Sequence, residues 1–417
     1  MAALMGVVRS ASLVRCETAV EEAGRVSYMN RRHSMQVDSI KKAIETNFGM
    51  RRRIALGALA MMGYSAATFA ANPADGAKRG KEDIQPTVVT VQYYPGIFVD
   101  WAAQITQYSG IAARNGLEFK FVAVGGGPTA TAGLVSGSYD LGLLDLSLTG
   151  GLLKPGSVPV KMIMGSELAP WALMASKKAA DLAAVAPEQV AQKLAGKEVG
   201  VIALGSSSYF YMRGLLKASG VPVESVKIAA AGGFPQLVAA LRNGVTYVAM
   251  EGLDTMYAMV HQDGLKVLLN FAEKPKDDSF KNAPIFRGIL GVPTGGLWAR
   301  TEWITKNGEL IKRIQRAIAQ GTVFAKDPKN IGKLSELMGA HGMIPKDIKK
   351  DNELDYISST MKYVAPYFSH EDADAQMKFW VDMGLVKKYL PPNDWMVPGI
   401  PTDMNALRQL AIDEPAH

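Results

Sequence analysis

Two loops rich in glycine and serine contain the residue types that bind small anionic groups. The first is Gly-Gly-Gly-Pro-Thr at residues 125–129, and the second is Gly-Ser-Ser-Ser-Tyr at residues 205–209. Each precedes a segment with helical periodicity; glycine lets the backbone approach a ligand, and the free N–H groups of a helix start favour negative charge. A turn with an ordinary N-cap would explain the same residues. The predicted ligand contacts in these loops are Gly126, Gly127, Thr129, Ser206, Ser207 and Ser208.

Aromatic side chains provide a second set of candidate contacts. Tyr94 and Phe98 follow the first predicted strand, at the strand end where α/β proteins place ligands. Either ring could stack on a ring or an aliphatic body, or pack in the core instead. Phe234 begins a later helix and joins this set. Trp171 and Trp298 are interpreted as core or hinge packing.

Acidic and hydroxyl side chains follow two other predicted strands. Asp145 and Ser147 come after the third strand, and Glu251 comes after its counterpart in the second half of the chain. Carboxylates beside a cleft repel a simple anion and attract an amine, so they indicate a ligand with a cationic or hydrogen-bond-donating group. A hinge or helix-capping role would account equally well for these residues.

The sequence offers little for catalysis or for metal binding. Its single cysteine is Cys16, and the histidines beyond the first 70 residues are widely separated. No His-Glu-x-x-His motif or carboxylate–histidine cluster is present. Because no nucleophile or base accompanies the glycine- and serine-rich loops, we expect no enzymatic activity, no cofactor and no metal site.

The segments that must position these residues alternate between strand and helix patterns. Runs of β-branched and aromatic residues indicate strands at residues 87–94, 119–124, 139–146, 197–203, 226–230 and 247–250. Helical periodicity fills the intervals, and the second three strands repeat the arrangement of the first three. The chain is helical from about residue 305 onwards. This pattern predicts an α/β protein with parallel sheets in two similar lobes, a cleft between them and a helical C-terminal tail.

Charge and composition divide the chain further. The net charge of +7 arises mainly in residues 1–70, which hold 10 Lys/Arg and 5 Asp/Glu, so no basic block indicates a nucleic-acid partner. Residues 50–70 have the basic start, short apolar run and small residues of a signal peptide, and residues 1–49 are interpreted as a non-native upstream extension. The remaining predicted regions are a flexible lead-in at 71–86, lobe 1 with the C-terminal helices at 87–190 and 265–417, and lobe 2 at 191–264.

Six segments carry a family resemblance by their order and spacing: residues 89–95, 112–118, 134–142, 194–201, 205–208 and 237–244. Over about residues 85–340 the chain resembles the nitrate/sulfonate/taurine group of ABC-importer binding proteins, which is related to the thiamine-precursor binding proteins. The resemblance implies a two-lobed periplasmic-binding-protein fold of type II, with a hinge crossed twice and an interlobe cleft. The sequence departs from the family at Tyr247 and at Met250-Glu251-Gly252, where Asp and Pro are frequent, so no particular ligand is carried over.

Together these features predict an extracytoplasmic solute-binding protein. We expect it to capture a small organic anion or zwitterion, of the sulfonate, carboxylate or pyrimidine class, and to deliver it to an ABC importer. The resemblance implies an ABC permease and ATPase as partners and a monomeric state. The lack of a cysteine after the signal peptide indicates a periplasmic protein rather than a lipoprotein. Delivery to a sensor or a non-ABC carrier, or an enzyme on the same fold, are the alternatives.

Overall fold

The computed structural model describes residues 85–412. The predicted upstream extension, the signal peptide and most of the lead-in therefore lie outside the described residues. Between residues 85 and 412, no helix has both the length and the apolar character that a membrane crossing requires.

The strands form two five-stranded sheets. They are β1 (Thr87–Tyr93), β2 (Leu117–Ala123), β3 (Leu141–Asp145), β4 (Val160–Gly165), β5 (Trp171–Ala175), β6 (Glu198–Val201), β7 (Lys227–Ala230), β8 (Val248–Gly252), β9 (Lys266–Asn270) and β10 (Gly295–Arg300). The strand order is β2-β1-β3-β10-β4 in the first sheet and β7-β6-β8-β5-β9 in the second. We call the halves of the molecule built on these sheets lobe 1 and lobe 2.

Helices follow most strands and make up the C-terminal third of the chain. They are α1 (Trp101–Tyr108), α2 (Ile111–Arg114), α3 (Gly127–Ser136), α4 (Leu146–Thr149), α5 (Pro187–Gln192), α6 (Ser207–Ala218), α7 (Phe234–Arg242), α8 (Leu253–His261), α9 (Pro284–Arg287), α10 (Thr301–Lys306), α11 (Gly308–Lys326), α12 (Ile331–Ala340), α13 (Glu353–Met361), α14 (His370–Asp382), α15 (Pro392–Trp395) and α16 (Met404–Ile412). Short 3-10 turns lie at Phe98–Asp100, Gly150–Leu152, Lys177–Ala184, Val223–Ser225, Pro328–Asn330 and Lys350–Asn352.

The two sheets have the same arrangement, as the repeated sequence pattern predicts. β1 pairs in parallel with β2 and β3, and β6 pairs in parallel with β7 and β8. The fourth position is filled by β10 in the first sheet and β5 in the second, and each runs antiparallel to both neighbours. The sheets are therefore mixed rather than parallel throughout, because β5 and β10 each enter their sheet from the other lobe.

The central strands end in acidic residues at the edge that faces the other lobe. β3 (Leu-Gly-Leu-Leu-Asp) and β8 (Val-Ala-Met-Glu-Gly) are buried at every position. Such continuous apolar strands are typical of sheets covered by helices on both faces. The burial of the whole strand carries Asp145 and Glu251 into the interior with it.

The chain passes between the lobes twice. Residues 166–170 connect β4 to β5, and residues 271–294 connect β9 to β10. The two crossings run side by side, since the N–H of Thr294 donates to the carbonyl of Glu167 at 3.1 Å. Paired crossings of this kind can bend together, so they fit the predicted hinge.

Lobe 2 is larger than the predicted range of 191–264. Its sheet takes in Trp171–Ala175 and Lys266–Asn270, which lie on either side of that range. The prediction followed the repeated strand–helix units and missed these two strands, because neither belongs to a repeat unit.

The C-terminal helices pack on both lobes. On lobe 1, Gly321 of α11 lies so close to α1 that an added Cβ would be 2.1 Å from Thr106 Oγ1. On lobe 2, Trp380 of α14 packs edge-to-face on Tyr211 of α6, with ring centroids 5.2 Å apart. The predicted helical tail thus holds both lobes and does not form a separate unit.

Candidate ligand-binding site

A cavity lies between the lobes, with about 600 Å³ of atom-free space when the part open to solvent is included. Its walls come from the segments after β1, β2 and β3 of lobe 1, from the crossing at 166–170, and from the segments after β6, β7 and β8 of lobe 2. The carboxyl ends of parallel strands are where α/β sheets place ligands. Eight of the twelve predicted contacts line this cavity: Tyr94, Phe98, Gly126, Gly127, Asp145, Ser206, Ser207 and Phe234.

The other four predicted contacts are not part of the cavity wall. Thr129 is exposed on α3, two residues beyond the helix start. Ser147 borders a separate, open groove. Ser208 is fully buried, and its hydroxyl accepts a hydrogen bond from the Ile202 N–H at 3.1 Å. Glu251 is buried within β8. Local structure accounts for the placement of these side chains.

Four helices begin at the cavity, namely α3 from lobe 1 and α6, α7 and α8 from lobe 2. Their N-cap residues are Gly126, Ser206, Gly233 and Gly252. Ser206 Oγ accepts a hydrogen bond from the Tyr209 N–H at 3.4 Å, whereas the two glycine caps of α3 and α7 leave the first turn without a side-chain acceptor. Unpaired N–H groups at helix starts suit a negative or hydrogen-bond-accepting group.

Aromatic rings form much of the apolar wall. Tyr94, Phe98, Trp171 and Phe234 all line the cavity, and the Trp171 and Phe234 rings are parallel within 3° with centroids 6.4 Å apart. Trp171 is buried, as predicted for core or hinge packing, but it also lines the cavity, because it is the first residue of β5 and leaves the crossing directly there. Trp298 is fully buried, as predicted for a core residue.

A chain of hydrogen bonds joins the two lobes at one side of the cavity. Trp171 Nε1–H donates to Ser207 Oγ at 3.0 Å, and the Ser207 hydroxyl donates to the Asp145 carboxylate. Ser147 Oγ donates to the other oxygen of Asp145 at 2.5 Å. Asp145 belongs to lobe 1 and Ser207 to lobe 2, so the bond between these two residues exists only when the lobes are together.

Three carboxyl groups line the cavity: Asp145, Glu167 and Asp254. Burial raises the pKa of all three, and that of Asp254 rises to about 7. Hydrogen bonds from two serines oppose this rise at Asp145. Behind the wall, burial and then the charge of Asp254 raise the pKa of Glu251 to about 8. The cavity therefore favours neutral carboxyl groups unless a positive charge enters.

Glu167 is positioned by its neighbours on the crossing and on β10. The Ser166 hydroxyl donates to its carboxylate. The carboxylate lies over Gly295, where an added Cβ would be 1.6 Å from Glu167 Oε1. Only glycine at 295 leaves room for this arrangement.

Sequence reasoning missed Glu167, Trp171 and Asp254 as cavity residues. Asp254 comes directly after β8 in the first turn of α8, so the strand-end rule that selected Asp145 could have found it. Glu167 and Trp171 belong to a crossing between lobes, which has no periodic signal in the sequence.

The lining lacks a basic side chain, since none of the residues around the cavity is Lys, Arg or His. Nor do residues 85–412 contain a group of three or more His, Cys, Asp or Glu side chains arranged to hold a metal ion. The cavity can accept hydrogen bonds at its carboxyl groups, donate them from helix N–H groups, and contact an apolar or aromatic body.

Solved structures with low sequence identity share this architecture. The periplasmic nitrate-binding protein of Synechocystis PCC 6803 has a TM-score of 0.57 at 14% identity, over 80% of this chain and 90% of that protein. The alkanesulfonate-binding protein of Xanthomonas axonopodis pv. citri, bound to MOPS, has a TM-score of 0.55 at 14% identity, over 75% and 99%. A Candida albicans protein with the generic periplasmic-binding-protein fold has a TM-score of 0.54 at 16% identity, over 75% and 96%.

No protein-family model and no curated protein matches the sequence. The architecture is nevertheless well defined by two sheets of identical strand order, two crossings between lobes and a cavity at the strand ends. The chain has the two-lobed periplasmic-binding-protein fold of type II, the fold of the nitrate- and sulfonate-binding proteins that its sequence resembles.

Proposed function

We propose that this protein is an extracytoplasmic solute-binding protein that encloses one small organic molecule between its lobes. The observation that supports this most is the cavity itself, which takes its walls from both lobes and from the crossing between them. A site shared in this way is complete only in the closed molecule. Ligand binding and closure are then the same event.

Closure would bring contacts into existence that neither lobe makes alone. The bond from the Ser207 hydroxyl to Asp145 is one of them, and it is reinforced by the Trp171 indole N–H. A ligand that touches both walls adds further contacts of this kind and shifts the population towards the closed form. The paired crossings are the segments that would bend.

The ligand class follows from the mixture of groups on the wall. Helix N–H groups from both lobes suit a sulfonate, a carboxylate or the ring nitrogen of a pyrimidine. The three carboxyl groups and the lack of a basic side chain disfavour a simple inorganic anion. A zwitterion, or a pyrimidine with donor groups, satisfies both sets of groups better than a plain anion does.

The role that we propose for such a protein is delivery of its ligand to an ABC importer, and a periplasmic location follows from that role. The structural neighbours include a periplasmic nitrate-binding protein and an alkanesulfonate-binding protein, which supports a role in solute uptake. Delivery to a sensor or a non-ABC carrier is the alternative role for the same closed form. Catalysis has less support, because no Cys or His is among the residues that line the cavity.

A thermal-shift screen with the purified protein tests this proposal. The panel contains taurine, alkane- and arylsulfonates, carboxylates, amino acids, aminopyrimidines, nitrate and bicarbonate. A ligand at about 100 times its Kd stabilises the native state by about 2.7 kcal/mol, which gives a clear rise in Tm.

Two neighbouring glycines give a matched pair of variants for this screen. Gly126→Leu places a side chain in the cavity wall and is expected to abolish the rise in Tm. Gly125 is exposed, has open space around it and does not line the cavity, so Gly125→Leu is expected to keep the rise. A rise that survives in both variants, or no rise with any compound, would contradict a ligand site between the lobes.

A further inference from the structure

Five carboxyl groups are buried in and around the cavity without a basic partner. They are Asp100, Asp145, Glu167, Glu251 and Asp254, each between 1% and 5% exposed. None of them takes part in an ion pair within residues 85–412. A cluster of this size without a counter-charge needs an explanation, because buried acids are ordinarily paired.

The cavity-facing members differ in how well hydrogen bonds satisfy them. Asp145 accepts hydrogen bonds from two serines, and Glu167 accepts one from Ser166. Within the described chain, no donor reaches either carboxylate oxygen of Asp254 with full hydrogen-bond geometry, although the backbone N–H groups of Asp254 and Thr255 lie near enough to oppose the rise in its pKa. On the other lobe, the Tyr94 hydroxyl also lines the cavity without a partner. Asp254 is thus the acceptor that remains free for a ligand.

No positive side chain faces Asp254 from the elements packed around it. The groups that interact with it electrostatically are Glu251 on β8, Asp100 before α1, Asp347 in the C-terminal region and the Tyr356 hydroxyl on α13. Asp254 does lie in the first turn of α8, whose N–H groups favour its ionised form. The helix start alone does not outweigh the effect of burial.

The one arginine whose charge acts on Glu251 within residues 85–412 is already engaged. Arg242 forms ion pairs with Asp263 at 2.6 Å and Asp347 at 2.9 Å, and its charge acts weakly on Glu251. A metal ion is not a substitute, because the described acids are not grouped as ligands for one. An organic cation would supply both the missing charge and N–H donors for Asp254.

We infer that the ligand carries a protonated amine or an amidinium group that donates hydrogen bonds to Asp254, while its apolar body lies against Trp171 and Phe234. The inference rests on the proposed function, since it takes the cavity as the ligand site. Aromatic faces also attract a cation, which adds to the effect of the carboxylate. The free N–H groups of α3 and α7 remain available for an accepting group elsewhere on the same molecule.

Calorimetric titration with probes of equal shape and different charge tests the inference. Benzamidine, benzamide and benzoate form one set, and butylamine, butanol and butyrate form an aliphatic set. We expect the cation of at least one set to bind the wild-type protein about tenfold or more tightly than the anion. Asp254→Asn keeps the size of the side chain and is expected to remove that preference. Asp181→Asn removes a charge from an exposed position on lobe 2 and is expected to leave it unchanged.

The dependence of affinity on pH provides a second readout. The pKa of Asp254 is about 7, so a cation must displace its proton at lower pH. The affinity of the cation should therefore rise as the pH increases through about 7, and the released proton should make the observed binding enthalpy depend on the ionisation enthalpy of the buffer. Asp254→Asn should remove this component of the pH dependence.

Each other outcome overturns the inference and bears differently on the proposed function. Tighter binding of the benzoate or butyrate member would reject the cationic class and leave the binding function intact. A cation preference that persists in Asp254→Asn would reject Asp254 as the partner. If no probe binds while the wider thermal-shift screen gives a ligand without a cationic group, the inference fails alone. If neither experiment gives a ligand, both fail.

Discussion

The Ser207 hydroxyl makes a hydrogen bond that joins the two lobes beside the cavity. It accepts a hydrogen bond from Trp171 and donates one to Asp145, so a single oxygen atom connects β5, α6 and the end of β3. The side chain is only 7% exposed, so water cannot easily replace either partner. A buried donor or acceptor that loses its partner costs about 1–3 kcal/mol.

Ser207→Ala is therefore expected to lower the free energy of unfolding of the closed protein, with a hit from the thermal-shift screen bound, by about 1–3 kcal/mol. Urea denaturation followed by circular dichroism measures this change. Ser225 is partly exposed and its hydroxyl donates only to the nearby Pro222 carbonyl, so Ser225→Ala should change the free energy by less than about 0.5 kcal/mol. Equal stabilities for the two variants would show that the interlobe bond does not contribute.

At the scale of single residues, the sequence predicted which loops lie at the cavity better than it predicted which of their side chains point into it. Gly126, Gly127, Ser206 and Ser207 of the two loops do line the cavity, because a strand end followed by a helix start fixes the place of the backbone. Ser207 and Ser208 differ only in which side of the first turn they occupy, and Ser208 points inward to the Ile202 N–H. That choice depends on packing between segments distant in sequence.

At the scale of the elements, the first position of β10 must be a glycine, because the Glu167 carboxyl group lies against it. Gly295 begins this strand and lies directly under Glu167, which belongs to the first crossing. Any side chain at 295 would push the crossing away from the sheet or drive the carboxylate out of the cavity wall. The strand and the hinge are coupled through this one contact.

Gly295→Ala is expected to lower the free energy of unfolding by about 1–3 kcal/mol, the usual effect of overpacking a buried site. It should also weaken ligand binding, because Glu167 must move. Chemical denaturation and titration with a hit from the thermal-shift screen measure the two effects.

The double variant with Glu167→Ala separates the clash from other causes. Removing the carboxylate should restore most of the stability lost in Gly295→Ala, whereas independent sites would give additive losses. Gly308 has open space around it, and Gly308→Ala serves as the control with no expected loss. Additive losses in the double variant would contradict the proposed contact.

Elements with strong local signals were predicted, and those defined by long-range pairing were not. β1, β2 and β3 and their helices appear within a few residues of the expected positions, since β-branched runs and helical periodicity are local. The antiparallel places of β5 and β10 depend on which lobe each strand joins after a crossing. No local pattern contains that information.

At the scale of the whole molecule, folding buries acidic groups and raises their pKa, so they keep their protons to a higher pH in the folded protein than in the unfolded chain. The pKa values of Asp254 and Glu251 rise from 3.8 and 4.5 to about 7 and about 8. At a pH between the unfolded and the folded pKa of each group, the folded protein holds a proton that the unfolded chain has lost. These groups therefore stabilise the fold fully at low pH, and the stabilisation decreases as the pH rises towards 8.

We expect the ligand-free protein to lose several kcal/mol of unfolding free energy between about pH 5 and about pH 8 through these two groups, since a pKa difference of one corresponds to about 1.4 kcal/mol. Urea denaturation at several pH values measures this slope. The double variant Asp254→Asn/Glu251→Gln should flatten it, and Asp181→Asn should not. An unchanged slope in the double variant would assign the pH dependence to other groups.

The exchange of strands between the lobes has a consequence for the order in which the chain folds during synthesis. The second sheet has all its strands once residue 270 has emerged, whereas the first sheet lacks the strand between β3 and β4 until residue 300. The second sheet can therefore pair all its strands while the first sheet still lacks one of its inner strands. A nascent chain stopped between these two points would contain one sheet with all its strands and one sheet with a gap, and the sheet with the gap would be the one whose first strands left the ribosome first.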